Sequence, residues 1–349
     1  MKRHLLDQTP EEWEIGSGPS YQRRVLGQWV FGKRVSSFER MTSLPLSLRR
    51  EMAGRYQLRC LRLARRLQDA GGVEKLLWEL EGGESVESVL IPSGSDAGSG
   101  RLTLCLSSQI GCAYRCAFCA SGLLGFRRDL SSGEIVEQFL RAEEAAGRSI
   151  DSLVFMGMGE PLANWDSLLR SLRLLTAPWG FAMSARRITV STSGLVPEIR
   201  RLAEEPIAVG LAVSLHAASD ALRSRLMPVN RKHPLPLLLE ACEEYSRKKR
   251  QRITLEYILL AGINDSDEEG ARLGRIARRL RAKINLIPYN RVESLPWDRP
   301  DPSRVDRFER LLQEAGCRVT VRRRKGEEIF AACGQLRLAA AQATFATMV

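Results

Sequence analysis

Apolar and polar residues follow two different rhythms along this chain, and the rhythm changes near residue 100. Beyond that point, short runs rich in Val, Ile and Leu take turns with longer segments whose apolar residues recur every three or four positions. Such patterns are typical of buried strands and amphipathic helices. They predict strands at 102–106, 152–155, 187–190, 208–214, 252–259, 283–287 and 318–322, and helices near 132–147, 165–177, 196–205, 235–249, 267–281 and 303–316. Repeated strand–helix units predict a parallel α/β sheet, either open and doubly wound or rolled into a full or partial barrel.

The first hundred residues are patterned differently. Residues 20–70 carry apolar positions at helical spacing with arginines between them, which predicts a small helical unit. Two alternating runs, 73–80 and 85–91, flank the turn sequence EGGE and predict a β-hairpin. We therefore divide the chain into an N-terminal helical accessory domain (1–72), a hairpin and linker (73–100) and a main α/β domain (101–349).

Composition and charge predict a type of binding partner and a cellular location. The formal net charge of +12 favours a polyanionic partner such as a nucleic acid. No apolar stretch approaches the roughly 20 residues of a membrane span, and the start of the chain lacks the apolar segment of a signal peptide. We expect a soluble cytoplasmic protein and a monomer.

Three cysteines in the run GCAYRCAFCASG carry the most specific chemistry. Cys112, Cys116 and Cys119 supply three thiolates, one fewer than a tetrahedral zinc site or a fully ligated iron–sulfur cube needs. A [4Fe–4S] cluster held this way leaves one iron open to a small molecule. The spacing resembles that of the radical S-adenosylmethionine (SAM) superfamily, in which the open iron chelates SAM. The alternative is half a zinc site, but the second C-x-x-C that a zinc ribbon requires does not occur.

Polar residues follow several of the predicted strands. Gly159 and Glu160 come after the second strand, Ser191 after the third, and Ser214, Leu215 and His216 after the fourth, with Asn290 after the sixth. Each cluster alone is as readily explained by turn capping. Because carboxyl ends of parallel strands meet at one edge, the clusters together predict a ligand site there.

Two further cysteines stand out from their surroundings. Cys105 lies on the strand leading into the cluster loop, and Cys333 lies among small residues in AACGQL. Alone, either is read as a buried structural thiol, as are Cys60, Cys242 and Cys317.

Together these segments resemble one family. TLCLSSQIGCAYRCAFC, FMGMGEPLAN, STSG, SLHA, INLIPYN and AACGQL, in this order, with ESVLIP and SSFERMTSLP upstream, are similar to the RlmN/Cfr family of adenosine methyltransferases. The resemblance covers about residues 22–340. It implies a partial (βα)6 TIM-like radical SAM barrel with a small N-terminal helical RNA-binding domain.

The resemblance also implies cofactors, roles and partners. Cys112, Cys116 and Cys119 hold the cluster, and two SAM molecules are used per turnover, bound by Gly159, Glu160, Ser191, Ser214, Leu215, His216 and Asn290. Cys333 becomes S-methylcysteine, Glu87 of ESVLIP accepts the proton of the adenine ring, and Cys105 releases the product by forming a disulfide with Cys333. The expected partners are 23S rRNA, with tRNA as a second candidate substrate, and an electron donor such as flavodoxin.

Several alternatives stay open. Glu87 by itself reads as an exposed hairpin carboxylate, and the run Arg322 to Lys325 as a solvated charge cluster, although its position before Cys333 favours RNA phosphate contact. Asp129 stands where RlmN members commonly have asparagine, and the ASG run after Cys119 leans towards Cfr-like members, so carbon 8 of adenine competes with carbon 2 as the target. A radical SAM enzyme with a non-RNA substrate and an RNA-binding module with structural zinc are the remaining readings.

Overall fold

A computed structural model describes residues 2–15, 21–93, 100–123, 125–292 and 294–322. The strands are β1 (Arg3–His4), β2 (Tyr56–Gln57), β3 (Arg62–Gln68), β4 (Glu74–Glu79), β5 (Ser85–Pro92), β6 (Leu102–Cys105), β7 (Gln109–Gly111), β8 (Phe126–Asp129), β9 (Ser152–Phe155), β10 (Ile188–Thr192), β11 (Gly210–Ser214), β12 (Thr254–Leu259), β13 (Lys283–Pro288) and β14 (Arg318–Val321). The α-helices are α1 (Tyr21–Gly27), α2 (Leu46–Arg55), α3 (Ala120–Leu123), α4 (Ser132–Ala146), α5 (Trp165–Thr176), α6 (Val196–Glu204), α7 (Asp220–Leu226), α8 (Leu235–Lys249), α9 (Asp267–Arg279) and α10 (Pro302–Glu314).

One large sheet organises the molecule. Among the described residues its order is β14-β13-β12-β11-β10-β9-β6-β5-β4-β3. From β6 to β14 every neighbouring pair is parallel and a helix connects each strand to the next, so the chain makes six βα units and a final strand. β14 and β3 are the two ends of this order, so the sheet is an open, partial barrel. The predicted α/β fold class is confirmed.

The core lies inside the sheet and between it and its helices. Leu104, Leu153, Val190, Val213 and Leu255 on five adjacent strands are almost completely buried. The covering helices are amphipathic, and α4 begins with a capping box in which Ser131 accepts from the Glu134 N–H and the Glu134 carboxylate accepts from the Ser131 N–H. Such caps start the helices at the same edge of the sheet where the preceding strands end.

The N-terminal region contains helices and also extends the sheet. α1 and α2 lie in the predicted helical unit, but residues 62–68 form strand β3, so the prediction of a helical unit reaching residue 70 is wrong at its end. β3 pairs with β4, β4 with β5, and β5 with β6, all antiparallel. The hairpin is therefore continuous with the main sheet. No described helix is long and apolar enough to span a membrane.

Candidate active site

A cavity of about 150 Å³ lies at the carboxyl ends of the parallel strands. Its lining includes the three motif cysteines, Cys112, Cys116 and Cys119, and polar residues that follow β9, β10 and β11. This is the position at which α/β sheets and barrels bind ligands, because loops from successive strands converge there.

The loop that carries the cysteines is fixed from two sides. The Ala117 N–H donates to the Leu226 carbonyl at the end of α7 (2.9 Å), and the Trp297 indole N–H donates to the Ala117 carbonyl (2.7 Å). Phe118 packs edge-on against His216, with ring centroids 4.7 Å apart. The loop is therefore preorganised against the ends of the strands.

The environment of the motif cysteines favours a bound cation. Burial raises the pKa of Cys112 to about 12, although the backbone N–H groups of Tyr114 and Arg115 act in the opposite direction. Burial, together with repulsion from Cys119 and Cys112, raises the pKa of Cys116 well above its ordinary value. Three partly buried thiolates on one cavity wall would need positive charge, which iron ions provide.

Glu160 lies at the end of the loop after β9 and is almost completely buried. Its Oε2 accepts from the Ser193 N–H (2.6 Å) and its Oε1 from the Leu162 N–H (3.2 Å). Burial raises its pKa, and the N–H donors of Ser193 and Leu162 only partly offset this. A buried carboxylate on the cavity wall is suited to bind a cationic amine.

The backbone around Gly159 determines where Glu160 lies. Gly159 has φ +99°, and a Cβ at this position would come within 2.5 Å of the Gln109 Cβ. The Gln109 side chain accepts from the Glu160 N–H (2.8 Å) and donates to Asp129 (2.8 Å). Asp129, which departs from the asparagine common in RlmN members, therefore orients the glutamine that holds this loop.

The polar residues after β10 and β11 complete the wall. Ser191, Ser214 and His216 line the cavity, as the sequence predicts. The His216 Nδ1 accepts from the Ile258 N–H (3.0 Å), so its proton is on Nε2. Burial, aided by Arg223, lowers the pKa of His216 to about 3, which keeps the ring neutral.

Two predicted cofactor-binding residues lie outside this lining. Leu215 is completely buried and follows Ser214, so its side chain is directed away from the cavity. Asn290 lies two residues beyond β13 and accepts from Arg299 (3.3 Å).

Glu87 and Cys105 share a face of the sheet but are also absent from the described lining. Ser88 faces α4, since its hydroxyl donates to Gln138 (2.9 Å), so Glu87 faces the opposite side. Cys105 pairs with Val89, which lies on the same side as Glu87. Glu87 is 1 % exposed and forms an ion pair with buried Lys75 (3.5 Å), so reading it as an exposed hairpin carboxylate is wrong.

Cys333 and residues 323–325 of the basic run lie outside the described residues.

One acidic residue of the cavity lining was not predicted from the sequence. Glu256 is buried in the lining and accepts from Asn285 (2.6 Å), and burial raises its pKa. Its signal in the sequence is one acidic residue inside the apolar run TLEYILL.

The described residues fit a [4Fe–4S] cluster with SAM. One loop brings three cysteines to one cavity, a buried carboxylate suited to an amine lies on the same wall, and hydroxyls from two strands complete it. The donor set provides three thiolates and leaves the fourth cluster position to a ligand.

Comparisons with known proteins agree with this geometry. The radical SAM superfamily model matches residues 106–273. The dual-specificity RNA methyltransferase RlmN of Syntrophobacter fumaroxidans is 47 % identical, over 93 % of this chain and 94 % of that protein. The enzyme of the same name from Sorangium cellulosum is 42 % identical, over 97 % and 96 % of the two chains. The crystal structure of a radical SAM methyltransferase from Sphaerobacter thermophilus superposes with a TM-score of 0.90 at 42 % identity, covering 96 % of this chain and 99 % of that one.

These relatives match nearly the whole chain. The chain therefore belongs to the RlmN family of radical SAM methyltransferases, which work with a [4Fe–4S] cluster and SAM.

Proposed function

We propose that this protein methylates carbon 2 of an adenosine in 23S rRNA and of the adenosine 3′ to the anticodon of tRNA. The observation that carries the proposal is the near-complete match to relatives named dual-specificity RNA methyltransferase RlmN. The net charge of +12 supports a polyanionic substrate.

The cavity supports a division of roles among its residues. The cluster is held by Cys112, Cys116 and Cys119. Glu160 binds the amino group of SAM, whose carboxylate and ribose groups are bound by Ser191, Ser214 and His216. Leu215 and Asn290 act from just outside the described cavity wall. When bound, the cluster and SAM supply the radical chemistry that an electron-poor ring carbon requires. Buried walls such as those of Glu160 and His216 keep water from that chemistry.

A second set of residues acts on the substrate. In the proposal Cys333 carries the methyl group, Glu87 accepts the ring proton, and Cys105 attacks the Cys333 sulfur to release the product. Glu87 and Cys105 are buried on the same face of neighbouring strands, which supports their acting at one site. Lys75 beside Glu87 favours its carboxylate form, the form that accepts a proton.

The N-terminal domain supplies a surface for RNA. A groove of about 510 Å³ includes Arg23, Arg24 and Trp179 in its lining, and Trp179 is 42 % exposed. Arginines beside an exposed aromatic ring suit phosphate contact and base stacking. Arg50, exposed on α2, and its neighbour Arg49 extend the basic surface, and Arg322 with residues 323–325 remains a second candidate.

Nucleoside analysis tests the proposal. The reconstituted enzyme is incubated with SAM, a one-electron reductant and unmodified rRNA or tRNA, and the digested RNA is compared by mass spectrometry with standards methylated at carbon 2 and carbon 8. We expect 2-methyladenosine in both RNAs. Only 8-methyladenosine would assign a Cfr-like reaction, and no methylated adenosine in either RNA would refute the proposed substrate.

The order of the steps has its own test. Replacing Cys105 with Ala removes the thiol that releases the product, so we expect a covalent RNA–protein adduct to accumulate on denaturing gels. Replacing Glu87 with Gln removes the proton acceptor and predicts the same adduct. Cys242→Ala, a buried thiol on α8, is the matched control and should leave no adduct. A flavodoxin as electron donor, a monomeric state and a cytoplasmic location remain predictions.

A further inference from the structure

Arg223 is an unusually placed cation. It lies on α7 and its side chain is completely buried. Its Nη2 donates to the Ser193 and Ser214 carbonyls (2.6 and 3.1 Å), its Nε to the Leu215 carbonyl (3.2 Å), and its Nη1 to Asn230 (2.7 Å). Among the described hydrogen bonds, every acceptor is thus a neutral oxygen. Buried arginines normally pair with carboxylates, because desolvating a lone cation is costly.

The same side chain ties together the loops that form the active site. Ser193 and Ser214 lie where β10 and β11 end, and the Ser193 N–H in turn donates to Glu160 after β9. The helix that carries Arg223 also accepts from the cluster loop, through the Leu226 carbonyl and the Ala117 N–H. Packing is close: a Cβ on Gly194, whose φ is +111°, would lie 3.0 Å from the Arg223 Nη2.

Arg223 places a buried positive charge on the helix that contacts the cluster loop. Asp220 is the nearby acid that attracts it, but the Asp220 carboxylate is already engaged by Asn230 (2.9 Å). The thiolates of a bound cluster would supply negative charge on the loop that α7 contacts, where the described hydrogen bonds give Arg223 only neutral acceptors.

We propose that Arg223 is a positioning residue of the cluster and SAM site: it fixes the strand-end loops against the cluster loop and offsets the negative charge of the cluster thiolates. The proposal rests on the cluster of the radical SAM family and is independent of which RNA or which adenine carbon is methylated. A cation close to an iron–sulfur cluster favours its reduced state, since reduction adds negative charge.

The test compares three variants of the reconstituted holoenzyme without RNA. Arg223→Met removes the charge and the donors, Arg223→Lys keeps the charge but loses the planar fork, and Arg247→Met removes an exposed arginine of α8 as the control for net charge. The midpoint potential is measured by titration with a spectroscopic readout of the reduced cluster, and the Kd for SAM is measured by equilibrium binding. Iron content and thermal melting confirm that each variant is loaded and folded.

We expect Arg223→Met to shift the potential to more negative values, while Arg223→Lys and Arg247→Met stay close to the parent protein. We expect Arg223→Lys to bind SAM about tenfold more weakly, the effect of about one charged hydrogen bond. A fully loaded Arg223→Met protein with an unchanged potential would overturn the electrostatic role. An unchanged Kd in Arg223→Lys would overturn the positioning role, and this variant decides that point even where Arg223→Met does not fold.

Discussion

Among the described residues, two partly or fully buried groups consist of residue types that bind metals, and their hydrogen bonds differ. Cys112, Cys116 and Cys119 line the strand-end cavity. His4, Cys60 and Glu137 meet between the N-terminal domain and α4, with their ligand atoms within 4.8 Å of one another. By residue type and proximity, the second group is as good a metal site as the first.

The protons of the second group show why it is not a metal site. The His4 Nδ1 accepts from the Leu6 N–H (3.1 Å), so its proton is on Nε2, which donates to the Glu137 carboxylate (3.0 Å). A metal on Nε2 would need the proton on Nδ1, where Leu6 already donates. The same carboxylate accepts from the Cys60 N–H (2.7 Å), the Cys60 thiol (3.2 Å) and the Leu61 N–H (3.0 Å). Every ligand atom is thus already occupied by a proton donor or acts as one.

The direction of hydrogen bonds therefore separates the two groups. At Cys112 backbone N–H groups act on the sulfur and favour the thiolate, whereas Cys60 donates to a carboxylate. Burial and the charge of Glu137 raise the pKa of Cys60 far above its ordinary value, which keeps the thiol protonated. We interpret His4, Cys60 and Glu137 as a structural clasp that holds the N-terminal domain on the barrel. Cys60 is more than the inert packing residue that the sequence suggests.

The largest expected effect concerns the cysteines of the cluster loop. Replacing Cys116 with Ala removes one of the three proposed cluster ligands, so iron per chain should fall to background and methylation should be undetectable. Cys60→Ala, which removes a partly buried thiol of the clasp, should keep the parent iron content. Iron and sulfide analysis after anaerobic reconstitution checks both, and equal iron loss in both variants would contradict the distinction.

Glu160→Gln tests the ligand wall of the cavity. Loss of its charge removes one charged interaction with an amine, so SAM binding should weaken about 10- to 100-fold. Glu240→Gln, an acid of α8 with a partner only at 3.9 Å, is the control. The measurement is the SAM Kd of the loaded protein, and a change below about twofold would argue against the assigned role of Glu160.

Glu137→Gln tests the clasp. An amide cannot accept all four donors, so the free energy of unfolding should fall by about 1–3 kcal/mol while iron content stays unchanged. Glu144→Gln on the same helix changes only partly exposed ion pairs and should cost less than about 1 kcal/mol. Urea unfolding of both variants decides the point. If Glu137→Gln lost iron without losing stability, His4, Cys60 and Glu137 would be a metal site rather than a structural clasp.

The clasp also predicts a pH dependence. Burial raises the pKa of Glu137, but hydrogen bonds from His4, Cys60 and Leu61 together outweigh burial and hold the pKa below its ordinary 4.5. A lowered pKa stabilises the fold above the unfolded value, and this contribution is lost as the pH falls through the folded pKa. The stability gap between parent and Glu137→Gln should be constant near neutral pH and narrow below about pH 4.5. A gap that widens on acidification would contradict this sign.

The smallest expected effect is at His216. Because its pKa is lowered to about 3, its ring resonances should not titrate between about pH 5 and 8. The chain has 3 histidines, so NMR of histidine-labelled protein can assign His216 by comparison with His216→Asn. A titration in that range would show that the ring is less buried than described.

The residues that line the site were easier to predict from the sequence than the strand and the buried arginine that hold them in place. The spacing of Cys112, Cys116 and Cys119 and the alternation of the strands are local signals. They brought the cysteine loop and most of the strand-end residues to one cavity, whereas Leu215 and Asn290 lie outside its lining. Strand β3 was missed because its sequence, RLARRLQ, has an edge-strand pattern with arginines on exposed positions. Arg223 was missed because nothing within DALRSRL distinguishes it from the exposed Arg225 on the same helix. Burial of a cation by carbonyls from the ends of two strands is visible only once those strands are assembled.

The antiparallel pairing of β5 with β6 has a mechanical consequence. Val89 faces Cys105 through backbone hydrogen bonds, so the hairpin cannot pivot relative to the strand that enters the cysteine loop unless that ladder breaks. The clasp of His4, Cys60 and Glu137 restrains the same N-terminal region at a second point. Two attachments leave little freedom to rotate, so the N-terminal region is held in a fixed orientation relative to the strand that enters the cysteine loop.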